Sequence, residues 1–330
     1  MVAPHFPYVN IGGVSVPRLI LGNMPFVGES YQGEEKNREY RRRFSKVENT
    51  VELLRRAVEK FDITTTVAMP SGDRLSTLFL DAIRTTERQT GAELALIPCF
   101  PIPQTIDGHA IDDYLRWVTY YHIEKRAAGE QLLERYMNDP VLQCREGWRE
   151  KFPAAASQTK PYSGEEIRKL QINYKSLEDA MARLEGFKVI LTEPGSESDF
   201  LAMTGRLDLL KDMSNRLKDH FNCPIVVGVH HAGSTIPILK KSKADFAGYV
   251  TSVNKLGVLM LPTPNIALKA IRGSRKPIIA IKPLAGGRIA PEEALSYVYR
   301  EVGVQTCMVG VASKREMDQD FRAAEKLLKE

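Results

Sequence analysis

The chain of 330 residues carries 46 lysines and arginines against 41 aspartates and glutamates, with 43% hydrophobic and 26% charged residues and a formal net charge of +5. That balance is one of a soluble globular protein with a sizeable core, and it excludes collagenous, low-complexity and disulfide-stapled classes. No run approaches a membrane span, no basic and apolar leader opens the chain, and the four cysteines (Cys99, Cys144, Cys223, Cys307) lack C-x-x-C spacing, so a cytoplasmic protein with buried thiols and no membrane partner is expected.

In chain order, VNIGGVSVP around Gly12-Gly13 predicts a β-hairpin, and Arg18 to Leu21 a first core strand. Gly22 to Ser45 reads as a long polar connection. Its arginines (Arg38, Arg41, Arg42, Arg43) are interleaved with Glu34, Glu35 and Glu39, a solvated pattern rather than a nucleic-acid patch. Apolar spacing predicts a helix over 46–60, a second strand over 63–69, a helix over 73–90 and a third strand over 93–100. A fourth strand follows at 187–194, a long helix at 198–221, and a fifth strand at 223–231. A short helix at 235–241 leads to a sixth strand at 244–252.

The stretch 276–316 reads as strand, glycine-rich turn, helix, strand, small-residue turn, helix. Eight strands alternating with helices predict a parallel barrel. The expected fold class is therefore α/β: a (β/α)8 TIM barrel with an N-terminal β-hairpin, forming one domain over 1–330. The interval between strands three and four is far longer than one such unit needs, which predicts a helical insertion at 104–163. It is rich in aromatic and charged residues, and either covers the barrel, joins subunits of a homo-oligomer or closes as a lid over the site.

The last two strand-to-helix turns suit an anion. Gly286 and Gly287 in LAGGR let backbone N–H groups approach a ligand, and Gly310 and Ser313 open a helix whose positive end attracts phosphate. Lys314 and Arg315 stand in that helix's first turn, and Arg288 closes the glycine turn.

Over most of its length the chain resembles the aldo-keto reductase superfamily. GGVSVPRLILGNMPFVG is similar to that family's opening hairpin and first strand, GVHHAGSTIPILKK to its fifth strand and helix, and KPLAGGR with GVASKREMDQDF to its cofactor loops. The resemblance implies NADP as first cofactor, held by Asn23, Asn254, Leu284, Gly286, Gly287, Arg288, Gly310, Ser313 and Lys314. The family's Asp–Tyr–Lys–His tetrad does not carry over. The tyrosine position falls on Val67 or Pro70, the lysine position offers Cys99, and the histidine position offers Thr192 or Glu193. Asp62 and Thr65 fit the aspartate equally. Asp320 stands where the family has asparagine against the adenine.

In a barrel, functional groups gather at strand C-termini. Those ends carry Asn23, Thr66, Cys99, Glu193, His230, His231, Asn254 and Lys282. Glu193 with one of the two histidines forms an acid–base pair, since adjacent strand residues point opposite ways and only one histidine faces the centre. Glu193 with both would suit zinc or manganese, so a metal is not excluded. Lys282 is either a phosphate contact or a Schiff-base lysine. The expected catalytic set is His230, His231, Glu193 and Lys282. The leading reading is a divergent reductase-like enzyme that binds a phosphate-bearing cofactor or substrate. The alternatives are a non-redox lyase, isomerase or aldolase acting on a phosphorylated or carboxylated small molecule, and a catalytically silent nucleotide-binding or assembly protein.

Overall fold

The computed structural model describes residues 6–242 and 244–329. Strands β1 (Tyr8–Ile11) and β2 (Val14–Pro17) form the hairpin. Gly12 and Gly13 both sit at positive φ, and Asn10 Oδ1 accepts the Gly13 N–H at 3.0 Å. The chain continues through β3 (Leu19–Gly22), α1 (Glu34–Phe44), α2 (Val47–Phe61), β4 (Thr65–Ala68), α3 (Arg74–Thr90) and β5 (Ala95–Phe100). Then come β6 (Gln104–Ile106), β7 (His109–Ala110), α4 (Asp113–Ala128), α5 (Gln131–Asn138), α6 (Trp148–Gln158), α7 (Gly164–Arg168), β8 (Leu170–Ile172) and α8 (Tyr174–Ala182). The second half holds β9 (Lys188–Val189), β10 (Glu193–Pro194), α9 (Ser198–Met203), α10 (Leu207–Phe221), β11 (Val226–Val229), α11 (Ala232–Ser242) and β12 (Gly248–Ser252). It ends with α12 (Pro264–Arg272), β13 (Ile278–Ile281), α13 (Pro291–Ser296), β14 (Thr306–Gly310) and α14 (Lys314–Lys329).

Parallel pairing runs β10-β5-β4-β3-β14-β13-β12-β11, with β9 also on β5. Thr192 closes the ring: it bridges to Ile225, its N–H donates to Pro224 O at 3.1 Å, and its carbonyl accepts from the Val226 N–H at 2.9 Å. The eight-stranded parallel barrel is as expected. Its interior is filled by residues taken from all eight strands: Ile20, Val67, Ile97, Leu191, Val226, Val250, Ile279 and Met308. Ile11 and Val16 of the hairpin plug the bottom, where Gly12 packs so tightly on Ala247 and Pro224 that a Cβ would meet them below 3 Å. A larger apolar layer separates the sheet from the helices.

Several expectations are corrected. Strand four is not continuous. Lys188 and Val189 pair with Ala95 and Leu96, whereas Glu193 and Pro194 pair with Cys99 and Phe100, a one-residue slip between the two halves. Pro98 and Pro194 lack the N–H groups an unbroken ladder would use. The expected helix at 198–221 is two helices, α9 and α10, parted near Gly205. The polar connection at 22–45 holds a 3-10 turn (Met24–Val27) and α1, whose charges pair locally (Arg41 with Glu34 and Lys36 with Glu39, each at 2.7 Å). The predicted insertion at 104–163 is longer than expected, because β8 returns to β6 and completes a small antiparallel sheet. Helix α12 was not foreseen; Thr263 caps it and Pro264 opens it.

The first and last barrel helices are clamped by one carboxylate. Asp318 on α14 accepts from Arg56 at 2.6 Å and Lys60 at 2.8 Å on α2, and these cations hold it far below the usual carboxylate range. A depressed pKa means the stabilisation is present above the unfolded value and fades as pH falls toward the folded one. Asp318→Asn should therefore lower stability by about 1 kcal/mol at pH 7, with the deficit shrinking on acidification below pH 4, as read by urea unfolding.

Candidate active site

A cavity of about 660 Å³ opens at the C-terminal ends of the barrel strands. Glu193, His230 and Lys282 line it together, with Cys99, Asn23 and Tyr31. Val67, Ile281 and Met308, at the top of the barrel filling, help to line it.

Lys282 follows β13 in a left-handed conformation (φ 56°) that a lysine adopts only under constraint. Its Nζ lies 3.2 Å from His230 Nε2 and 4.8 Å from the centre of the Tyr31 ring. No carboxylate stands within ion-pair distance of it among the described residues. Burial lowers the ammonium to about 8, against the partial support of Glu193. Burial acts on Glu193 with the opposite sign and raises it to about 7. Gly228 on the neighbouring strand makes room for the carboxylate: a Cβ there would sit 2.5 Å from Glu193 Oε1. His230 is pulled well below its ordinary value, by burial first and then by the Lys282 charge, so its ring is neutral. Cys99, beside Glu193 in register, is pushed well above the thiol range by burial and by the charges of Glu193 and Glu197, which argues against a thiolate nucleophile.

Backbone groups fix this cluster. Asp199 on α9 is fully buried; its Oδ2 accepts the N–H groups of His230 (2.7 Å) and His231 (3.1 Å), and its Oδ1 accepts from Thr235 Oγ1 (2.6 Å). Tyr31 is left-handed as well (φ 59°). Its turn is tied by Asn37 Oδ1, which accepts from Ser30 N at 2.8 Å and Ser30 Oγ at 2.6 Å.

The remaining predicted site residues divide. Asn23, Leu284, Gly286, Gly287, Arg288 and Gly310 line the cavity. Asn23 is buried, and neither its Nδ2 nor its Oδ1 has a hydrogen-bond partner among the described residues. His231 faces away from the cavity, into the helical insertion: its Nδ1 lies 3.0 Å from Glu124 Oε2, and its ring packs at tilted and edge-on angles among Trp117, Tyr120 and Tyr136. Burial alone would lower His231, but the charges of Glu124 and Asp199 leave it raised. The set of Glu193 with both histidines thus does not converge. Asn254 closes its own loop, donating to Val258 O (2.9 Å) and accepting from Val258 N (2.8 Å). Thr66 Oγ1 donates to Leu21 O at 2.9 Å. Ser313 caps α14 through the Glu316 N–H, and Lys314 pairs with Glu52.

The anion cradle also differs from expectation. A Cβ on Gly286 would meet Tyr31, and one on Gly287 would meet Gln32 at 3.3 Å, so these glycines admit the chain's own first loop. At the α14 end, Glu316 Oε2 already accepts the Ala312 N–H at 2.7 Å. Asp320 beside it is raised to about 7 by burial and then by Glu316 and Glu292. Carboxylates thus occupy the ground expected to hold phosphates. No residue of 104–163 lines the cavity among the described residues; the loop at 23–32 covers it instead. The insertion packs on the ends of strands five and six, where Asp139 accepts the Leu259 N–H at 2.8 Å.

Tyr31 and Asp199 escaped the sequence reading. Tyr31 lies in a segment without periodicity, and Asp199 reads as an ordinary first-turn helix acid. The positions of Tyr31 before a glycine (Gly33) and of Asp199 just after strand four were the available signals.

No family model and no curated protein matches the chain. Among solved structures, it is similar to a Pseudomonas aeruginosa protein described as an aldo-keto reductase, at TM-score 0.54 and 14% identity, covering 97% of this chain and 95% of that one. It is similar to the thermostable aldo-keto reductase Tm1743, solved with the inhibitor epalrestat, at TM-score 0.53 and 14% identity over 96% and 94%. A Brucella melitensis aldo-keto reductase matches at TM-score 0.50 and 10% identity over 98% and 94%. At these identities the likeness is one of fold: these proteins share the parallel (β/α)8 barrel over most of the chain's length.

Because Glu193 is raised from an ordinary 4.5 to about 7, the folded protein keeps a proton that the unfolded chain releases in that window. Stability therefore falls as pH rises from 4.5 to 7. Glu193→Gln should be as stable as the wild type near pH 4.5 and more stable above pH 7, by up to about 3 kcal/mol, in urea unfolding at the two pH values.

Proposed function

We propose that this protein is an enzyme acting on a small carbonyl compound, with Lys282, Glu193 and His230 as its proton-transfer groups. The observation that carries this reading is the 3.2 Å approach of Lys282 Nζ to His230 Nε2, inside a cavity that both share with Glu193. One burial brings an amine down to about 8 and a carboxyl up to about 7. Two groups driven toward neutrality from opposite sides exchange protons with substrate at little cost. One gives a proton to the carbonyl oxygen while the other takes one from the adjacent carbon or hydroxyl. The neutral His230 ring, held by Asp199 through its backbone, relays between them and keeps the Lys282 amine aimed into the cavity. The likeness of fold supports the substrate class by analogy: the proteins that share it are described as aldo-keto reductases.

Nicotinamide-dependent reduction is the second reading, favoured by that same likeness and by the unpaired amide of Asn23, which a ligand's polar group would satisfy. NADP as such fits poorly. The α14 end that would hold its phosphates presents the Glu316 and Asp320 carboxyls, and Lys314 there is engaged by Glu52.

A panel of small aldehydes, ketones and hydroxycarbonyl compounds, assayed with and without NADH and NADPH, tests both readings. Turnover should be bell-shaped in pH with limbs near 7 and 8, since one group must be protonated and the other deprotonated. Lys282→Met and Glu193→Gln should each lower turnover by about 10²–10⁴ with the fold intact by circular dichroism. Undiminished turnover in both variants would reject the assignment, and no thermal shift with either nicotinamide cofactor would remove the second reading.

A further inference from the structure

We infer that Lys282 is a covalent carbonyl-binding residue: it condenses with an uncharged short aldehyde or ketone to form an iminium ion, with Glu193 as the proton donor. The inference rests on the proposed carbonyl chemistry and goes one step further, from proton transfer to bond formation.

Four features of the cavity carry it. The first is the surroundings of Nζ. A lysine kept as a structural cation is normally met by a carboxylate, yet Lys282 meets a neutral imidazole nitrogen and an aromatic face. The second is backbone constraint. The left-handed φ of Lys282 (56°) aims the side chain into the cavity, and the Ala285 N–H, donating to Lys282 O at 2.9 Å, holds the turn. The third is the Tyr31 ring, 4.8 Å from Nζ. Its π face stabilises a cation at that position, and so favours the iminium over its neutral imine. The fourth is the charge of the walls. Glu29, Glu193, Glu316 and Asp320 face Lys36, Lys282 and Arg288, and Lys36 is already paired with Glu39. Such walls favour a neutral substrate over a carboxylated or phosphorylated one.

The step balances with groups present. The neutral amine of Lys282 attacks the carbonyl carbon, forming a C–N bond and an alkoxide. His230 Nε2 carries a proton from nitrogen to that oxygen, giving a carbinolamine. The protonated Glu193 carboxyl then gives its proton to the hydroxyl, the C–O bond breaks, and water leaves. The products are the Lys282 iminium, one water and the Glu193 carboxylate. That carboxylate is then poised to take a proton from the carbon next to the iminium, which the C=N bond has made acidic. The pH profile of this route is the same as for simple proton transfer, because exchanging one proton between Lys282 and Glu193 leaves the total unchanged. The covalent adduct, not the pH profile, is what tells the routes apart.

The full-length protein is incubated with glycolaldehyde and sodium cyanoborohydride at pH 7.5, then read by intact mass and peptide mapping. Cyanoborohydride adds hydride to the C=N bond and leaves a stable secondary amine. We expect one adduct per chain, mapped to Lys282, forming at least tenfold faster than at any surface lysine. Lys282→Arg should lose it, and Glu193→Gln and His230→Asn should slow it about tenfold or more. Labelling spread over surface lysines, with Lys282 at or below their rate in the wild-type chain, would overturn the inference without needing any variant. Lys282-dependent turnover of carbonyl compounds without a Lys282 adduct would overturn the covalent step and leave the proton-transfer reading standing. Absence of both adduct and turnover would overturn the two together.

Discussion

Strand four closes the barrel with one residue more than strand three can pair. β9 and β10 bind β5 in registers that differ by one, and Thr192, between them, makes the bonds to strand five that complete the ring. In a strand, a slip of one residue exchanges the two faces. The slip is therefore what lets Leu191 fill the barrel interior while Glu193, two residues on and past the closure, lines the cavity above it. Gly228 on strand five provides the matching space. Closure of the fold and orientation of the acid are one event.

From that event follow the electrostatics of the cavity. Burial in a shared cavity penalises whichever form of a group is charged, so it raises Glu193 and lowers Lys282 and His230 together. Left-handed backbone at Lys282 and Tyr31 is costly, and each is held by local bonds that leave little alternative. Behind them, Asp199 fixes the chain at His230 and His231, which face opposite ways. One completes the cavity; the other anchors the helical insertion through Glu124 and an aromatic cluster. The insertion thus supports the end of strand five from outside, and the first loop, not the insertion, forms the cover.

Much of this was legible before any coordinates. The alternation of apolar β-branched runs with helical periodicity specified eight strands in order, because burial in a barrel demands it locally. Glu193, His230 and Lys282 were legible for a related reason: strand C-termini converge in every such barrel, so polar residues there meet. The slip in strand four was hidden because it depends on which neighbour pairs with which. Lys314 and Ser313 were not resolved by such a reading, since a helix start looks the same whether a ligand or its own chain satisfies it.

The sequence by itself determined the barrel, its opening hairpin and the polar residues that gather at its strand ends, because these follow from local pattern and from the shared geometry of parallel strands. Only the tertiary structure decided which histidine faces Lys282, that Tyr31 covers it, and that carboxylates stand at the α14 end. Those outcomes rest on contacts between residues far apart in the chain, such as Tyr31 with Lys282 and Gly228 with Glu193, and no local signal records a meeting of that kind.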